Sequence, residues 1–476
     1  MNDTVIYLFK NDFRLHDNPA LYEASKHQNM IIAYIHDEHS RGKWKLGEAK
    51  KWWLHYALSA MENQINRLGG HLTIRKGDTV EELIRLINET SAHCIYWNRE
   101  YEPAVYSRDR ELAEKLTRSG FQVKTFESCL LLPPWTIINK QKKPYKVFTH
   151  FYKQVLAVDI PLPLPVILEP LSSIELPTVP IEELRLLPRQ SWADNFLEKW
   201  NPTEEHAINL FNSFARTKIS DYHQNRDVPS HDGTSRLSPY LTFGQISARS
   251  MFLELKKIPD SEEFIRQLLW REFSYYLLWH FPHSSVDSLN NQFHSFQWDQ
   301  NQALYKVWTE GNTGYPIVDA GMRELWKTGY MHNRVRMIVA SFLTKHLLLP
   351  WQKGAEWFWD TLLDADLANN SLGWQWVAGT GVDSAPYFRI MNPIIQGEKF
   401  DSEGEYIKRW IPSLRNMPSE YIHKPWEAPA HILEKAGVIL GNTYPEPVVN
   451  HKRARLRTLE RYEQMKKEKK PPTNDS

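Results

Sequence analysis

The chain has 476 residues and a formal net charge of +1, so it exceeds the roughly 100–200 residues of one ordinary domain and carries no global basic bias. Any nucleic-acid partner must therefore be met by a local patch. Two cysteines, Cys94 and Cys129, exclude a disulfide framework and fit a reducing cytoplasm, and no stretch is long and apolar enough for a signal peptide or a membrane span.

Short apolar, β-branched runs at 4–9 (TVIYLF), 30–37, 71–77, 94–98 and 121–128 predict strands. Between them lie helix patterns at NPALYEASKH, at EAKKWWLHYALSAMENQINRLG and at SRDRELAEKLTRSG, the last closed by Gly120. This alternation predicts an α/β amino-terminal domain with a doubly wound parallel sheet over residues 1–135. Residues 136–195, dense in proline from about 160, predict a long connector extended along the surface. From 196 to 476 apolar residues recur at helical spacing, which predicts an all-α domain; most of the 19 tryptophans fall here, and the plain reading for most is core packing. The basic stretch HKRARLRTLERYEQMKKEKK predicts a solvated helix running into a polar tail.

Four segments concentrate polar chemistry. In DGTSRLSPYLTFGQIS, hydroxyls, free amides and Arg236 precede a predicted helix, an arrangement that suits a phosphate; taken alone it is an ordinary helix cap. In RQLLWREF, Gln267, Trp270 and Arg271 share much of one helical face. Asn333, Arg336 and Met337 stand at i, i+3 and i+4, with Arg334 about 100° away. In DADLANNSLGWQWVAGTG, Asp366 and Asn370 are i and i+4 if the helix reaches that far, with Asp364 beside them. Buried acids need donors or a cation, so these acids, amides and arginines with apolar walls suit a heterocycle bearing a diphosphate, such as a flavin dinucleotide.

These motifs, together with NDFRLHDNPAL, TGYPIVDAGMREL, APYFRIMNPIIQGEKFD and VVNHKRAR, resemble the photolyase and cryptochrome family, most of all bacterial class I cyclobutane pyrimidine dimer photolyases. The resemblance implies an amino-terminal antenna domain and a helical domain that holds FAD, active when reduced and anionic. Tyr222, Thr234, Ser235, Arg236, Leu237, Ser238, Arg271 and Asn333 resemble FAD contacts. Arg336 with Asp364 resembles the ion pair facing the flavin ring, Asp366 the carboxylate that accepts from it, and Asn370 the amide beside N5. Trp374, Trp351 and Trp298 resemble an electron-hopping chain from flavin to surface. Gln267, Trp270, Met337 and Trp376 resemble lesion contacts, and Arg226 and Arg334 resemble contacts to DNA phosphates.

The implied activity is that of a light-dependent carbon–carbon lyase, a cytoplasmic monomer acting on pyrimidine dimers in single- or double-stranded DNA. Excited reduced FAD lends an electron to a flipped-out dimer, the cyclobutane ring opens, and the electron returns. The alternatives are a (6-4) photolyase and a cryptochrome photoreceptor. Gln267 stands where many dimer photolyases have glutamate and some (6-4) enzymes have glutamine, while Asn333 and Met337 stand where (6-4) enzymes carry histidines. Trp270, Trp376 and Met337 with no long extension favour repair over signalling, and the absence of a G-x-G-x-x-G disfavours a nicotinamide-linked flavoenzyme. Ala104 and Val105 replace an Asn-Glu pair common in folate-binding photolyases, which argues against a folate antenna without selecting a deazaflavin, a second flavin or an empty groove.

Overall fold

The fold is described from a computed structural model, in which residues 3–167, 170–188 and 191–468 are described. The polar tail expected after 468 and four residues of the connector region lie outside them. By packing, the chain divides into two units. The first comprises Met1–Ser220, Ser235–Pro282 and Leu363–Ala368; the second comprises Asp221–Thr234, His283–Leu362 and Asn369–Ser476.

The first unit is built on β1 (Thr4–Phe9), β2 (Asn29–His36), β3 (Leu72–Lys76), β4 (Cys94–Asn98) and β5 (Gln122–Phe126). All pairings are parallel in the order β3-β2-β1-β4-β5, the doubly wound arrangement expected. Every residue of β1 is buried, as a central parallel strand covered on both faces requires. Helix α1 is Pro19–Ala24, α2 is Glu48–Arg67 and α4 is Pro103–Arg118, with Gly120 at φ +91° just past its end. The pattern reading passes over α3, Thr79–Thr90, which is capped by Asp78 and buries Leu83, Leu86 and Ile87 against Ile6, Ile31 and Ile95.

The connector is not extended throughout. It contains the helix Phe148–Leu156 and the 3₁₀ turns Ile181–Leu184 and Ser191–Glu198. Between these, Leu171 N donates to Leu68 O at 2.8 Å and Val179 N to Ile74 O at 2.9 Å. The second bond covers part of β3, an edge of the sheet, with a segment whose prolines prevent a full ladder.

The loop after β1 is fixed by residues far along the chain. A Cβ at Gly244 would lie 2.2 Å from Asn11 O, and Gly244 has φ +62°, so only glycine allows this approach. Arg14 Nη1 then donates to Gly244 O at 2.8 Å and Trp53 Nε1 to Gln245 Oε1 at 2.8 Å. The LTFGQIS motif thus serves packing as well as any ligand.

In the second unit the helix Asn333–Ser341 runs into a π-helical turn, Phe342–His346. The helices Trp351–Thr361 and His451–Glu468 follow. Buried Asp319 accepts from Thr313 N, Thr313 Oγ1, Gly314 N and Tyr444 OH at 2.6–3.0 Å, which accounts for the TGYPIVDAG motif as a turn clamp. Among the described residues no helix is long and apolar enough to cross a membrane.

Candidate functional site

The first unit carries the expected residues Ser235–Ser238, Gln267, Trp270, Arg271, Asp364 and Asp366. Ser238 opens a helix of only five residues, Ser238–Thr242, with the preceding Arg236 at φ +53°. One turn has little macrodipole, so the expected anion site at a helix start reduces to hydroxyl and backbone donors. Ser238 Oγ donates to Asp364 Oδ2 at 2.5 Å, and Tyr275 OH donates to Asp366. Both aspartates are buried. The next helix begins at Leu367, so Asp366 precedes it instead of sharing a helical face with Asn370; a short acid competes with the backbone for hydrogen bonds and favours helix starts over interiors.

Gln267, Trp270 and Arg271 lie on the helix Glu262–His280, as expected. Trp270 is half-buried, and one face of its indole stacks on Phe148 with ring centroids 3.8 Å apart and planes within 7°. Arg266 sits 4.9 Å from the centroid of Phe148. The guanidinium of Arg271 donates to Cys129 O at 3.1 Å and to Glu272 Oε1 at 3.0 Å, so part of its donor set is already engaged. Burial pushes the Cys129 thiol up to about 11, which keeps it protonated.

The second unit carries Tyr222, Arg226, Thr234, Trp298, Asn333, Arg334, Arg336, Met337, Trp351, Asn370, Trp374 and Trp376. Arg226 stacks on Tyr222 at 5.4 Å, and Arg334 donates to Asp227 Oδ2 at 2.5 Å. Asp227 also lies 4.0 Å from Arg226, so one carboxylate organises both arginines expected to meet DNA phosphates. Arg336 Nε donates to Met331 O at 2.7 Å, Asn333 is exposed at the first position of its helix, and Met337 is half-buried.

The helix Leu367–Ala378 presents the remaining residues. Asn370 Nδ2 donates to Ala355 O at 2.9 Å, which turns its carbonyl oxygen away from that contact. The Trp374 ring packs directly on Gly354, where a Cβ would lie 2.0 Å from Cη2. Gly354 stands three residues after Trp351 on the same helix, and the Trp374 ring also packs edge-on to Phe358 with centroids 5.0 Å apart and to Trp308 at 6.1 Å. Trp351 and Trp374 are buried and Trp298 is half-buried. Trp374 Nε1 is buried and has no hydrogen-bond partner among the described residues.

Residues 264–464 match the model of the FAD binding domain of DNA photolyase, and residues 5–168 match the DNA photolyase model. The chain is 44% identical to a deoxyribodipyrimidine photo-lyase of Agrobacterium fabrum, over 97% of this chain and 98% of that one. It is 38% identical to cryptochrome-2 of Arabidopsis thaliana, over 96% of this chain and 78% of the relative. The crystal structure of a bacterial class III photolyase from Agrobacterium tumefaciens superposes with a TM-score of 0.93 at 42% identity, over 98% of each chain. The chain belongs to the photolyase and cryptochrome family.

FAD is the cofactor of this family's helical domain, and the donor set of this chain suits it. Buried Asp364 and Asp366 can accept from ligand N–H and O–H groups, while Thr234, Ser235 and Arg236 supply donors of the kind a diphosphate needs. The resemblance expected from the sequence was to class I enzymes, whereas the solved relative is of class III.

Several supporting residues escaped the sequence reading. Phe148 and Gly354 gave no local signal, because each acts on a tryptophan far away in the chain. Buried Gln375 was hidden between two tryptophans. Its amide donates to Ser284 O at 2.7 Å and Asp287 O at 3.1 Å and accepts from Leu289 N at 2.8 Å, anchoring the helix that carries both indoles. Lys345, fully buried, donates to Ala378 O at 2.6 Å at the end of the same helix.

Proposed function

We propose that this protein is a light-driven DNA repair enzyme, a deoxyribodipyrimidine photo-lyase that splits cyclobutane pyrimidine dimers. The observation that carries the reading is the indole of Trp270, held flat by Phe148 on one face and set on the same helix as Gln267. A buttressed aromatic platform beside a hydrogen-bonding amide suits an extruded, fused pair of bases. A dimer already stacks and pairs badly, which lowers the cost of flipping it out.

Bound FAD, reduced and anionic, supplies under blue or near-ultraviolet light the electron that opens the cyclobutane ring, and takes it back. The chain's residues bind, orient and insulate. Trp270 and Trp376 serve as apolar walls, and Met337 packs at the lesion edge. Arg226 and Arg334 hold the flanking phosphates, a contact without sequence preference whose strength falls with salt. By the family resemblance, Asp364, Asp366 and Arg336 would serve the flavin ring, and Tyr222, Leu237, Ser238, Arg271 and Asn333 would hold the remainder of FAD. Asn370, its amide nitrogen held by Ala355, offers a neutral acceptor at N5 that cannot deliver a proton as a carboxylic acid would.

Trp374, Trp351 and Trp298 carry electrons inward to restore the reduced flavin. In this reading residues 1–135 form the antenna domain, 136–195 the connector and 196–476 the catalytic domain. The protein acts as a monomer on single- or double-stranded damaged DNA, in a cytoplasm where Cys94 and Cys129 remain thiols.

The test is illumination of pre-reduced protein with an oligonucleotide holding one thymine dimer, following recovery of pyrimidine absorbance. Recovery in light alone is expected; absence of recovery with FAD bound and photoreducible would overturn the reading, in favour of a (6-4) photolyase if a (6-4) product is reversed instead and of a photoreceptor if neither lesion is. Trp298→Phe should slow photoreduction of oxidised FAD yet leave repair by the pre-reduced protein intact.

A further inference from the structure

The glutamine at 267, where many relatives have glutamate, is held by an acid of its own helix. Glu263 lies four residues earlier on the same face of Glu262–His280. Gln267 Nε2 stands 3.1 Å from Glu263 Oε1 and 3.3 Å from the Glu263 carbonyl oxygen. Both of these atoms only accept at neutral pH, so the amide nitrogen must be the end that faces them.

A glutamine can meet a ligand as donor or as acceptor, depending on which way its amide is turned, whereas a carboxylate only accepts. With its N–H groups engaged by Glu263, Gln267 is left to present its carbonyl oxygen. We propose that Glu263 is a specificity-determining residue: it locks Gln267 as a hydrogen-bond acceptor, so that an uncharged side chain reads the lesion with the polarity of a carboxylate. This rests on the reading of Gln267 as a lesion contact.

The chemistry of the two lesions gives the lock a consequence. Both rings of a thymine dimer keep an N3–H donor. In a (6-4) product the 3′ ring is a pyrimidone whose N3 bears no hydrogen. An acceptor-locked Gln267 therefore pairs with the dimer and leaves two acceptors opposed against the pyrimidone, a mismatch that discriminates strongly in a desolvated site.

The experiment is equilibrium binding in the dark of the reduced, FAD-loaded protein to a thymine-dimer oligonucleotide, using variants whose FAD absorbance and melting temperature match the parent. Glu263→Ala should weaken binding about three- to tenfold, the worth of one hydrogen bond. In a Gln267→Glu background the same change should instead strengthen binding, because it removes a like charge at i,i+4. An N3-methylated dimer should bind the parent less tightly than the natural dimer, and Glu263→Ala should narrow that gap. Loss of affinity from Glu263→Ala in both backgrounds would assign Glu263 a merely structural role and overturn the proposal. So would neutrality of Glu263→Ala alongside a loss in Gln267→Leu. Unchanged binding in Gln267→Leu would remove the lesion-contact reading itself, and the proposal with it.

Discussion

The two units bury polar groups in opposite ways. At the carboxyl ends of the strands in the first unit, full charges are buried in pairs: Lys10 with Asp109, Arg41 with Glu100 and Glu102, and Arg249 with Asp17. Burial pushes Asp17 up, but Arg249, Ser247 and the Leu164 N–H together hold it below the usual carboxylate range. Around the tryptophan helix Leu367–Ala378, the anchors are the buried amide of Gln375, the half-buried amide of Asn370 and the buried amine of Lys345, each held by backbone partners. Paired charges fix a loop cluster in one geometry. The amides of Gln375 and Asn370 hold the tryptophan helix without charge, and burial pushes the Lys345 amine at the end of that helix well below the ordinary lysine range, which favours its neutral form there.

Lys10→Met should destabilise the protein by about 3–5 kcal/mol because it leaves Asp109 buried with part of its compensation gone. Adding Asp109→Leu should recover much of that loss, as denaturant unfolding would show; additive losses would mean that the pair is not a closed electrostatic unit.

Gly354→Val tests the neutral side. New methyl groups would enter the space of Trp374, costing roughly 1–3 kcal/mol as overpacking does, and light-driven reduction of FAD should fail with the displaced indole. Normal photoreduction in a correctly folded variant would take Trp374 out of the hopping chain.

Asn370→Asp puts a titratable acid where the second unit has an amide. It should leave melting temperature nearly unchanged while destabilising the anionic reduced flavin, read as slower photoreduction and faster reoxidation in air. Unaltered flavin spectra and kinetics would remove Asn370 from the neighbourhood of N5.

The smallest effect is one of pH. Burial, with the nearby charges of His451 and Arg457, pushes His346 down to about 3. The unfolded chain takes up this proton below about pH 6.5 and the folded chain does not, so stability falls on acidification. Between about pH 7 and 5.5 the loss should be about 1 kcal/mol, measured by denaturant titration, and His346→Gln should flatten it.

The strands were legible because parallel strands buried on both faces read as continuous apolar runs, and the observed bounds lie within two residues of the expected ones. The site residues were legible as types and spacings: Gln267 and Trp270 share a helix, and Trp374 and Trp376 share another. The residues that hold them were not. Phe148 lies 122 positions before Trp270, and Gly354 lies 20 before Trp374, so neither leaves a periodic trace near the indole it supports. Glu263 was within reach, since i,i+4 spacing to Gln267 is a local rule. The helix boundary at Leu367 was missed because side chains that stop a helix also occur inside one.

Light-driven reversal of cyclobutane dimers is the activity on which the other expectations depend. The most direct measurement is chromatography of pre-reduced protein with two oligonucleotides, one holding a cyclobutane thymine dimer and one a (6-4) product, each in light and in darkness. The account predicts reversal of the dimer alone and in light alone. Reversal of the (6-4) product in place of the dimer, or of neither by protein with photoreducible FAD, would contradict it.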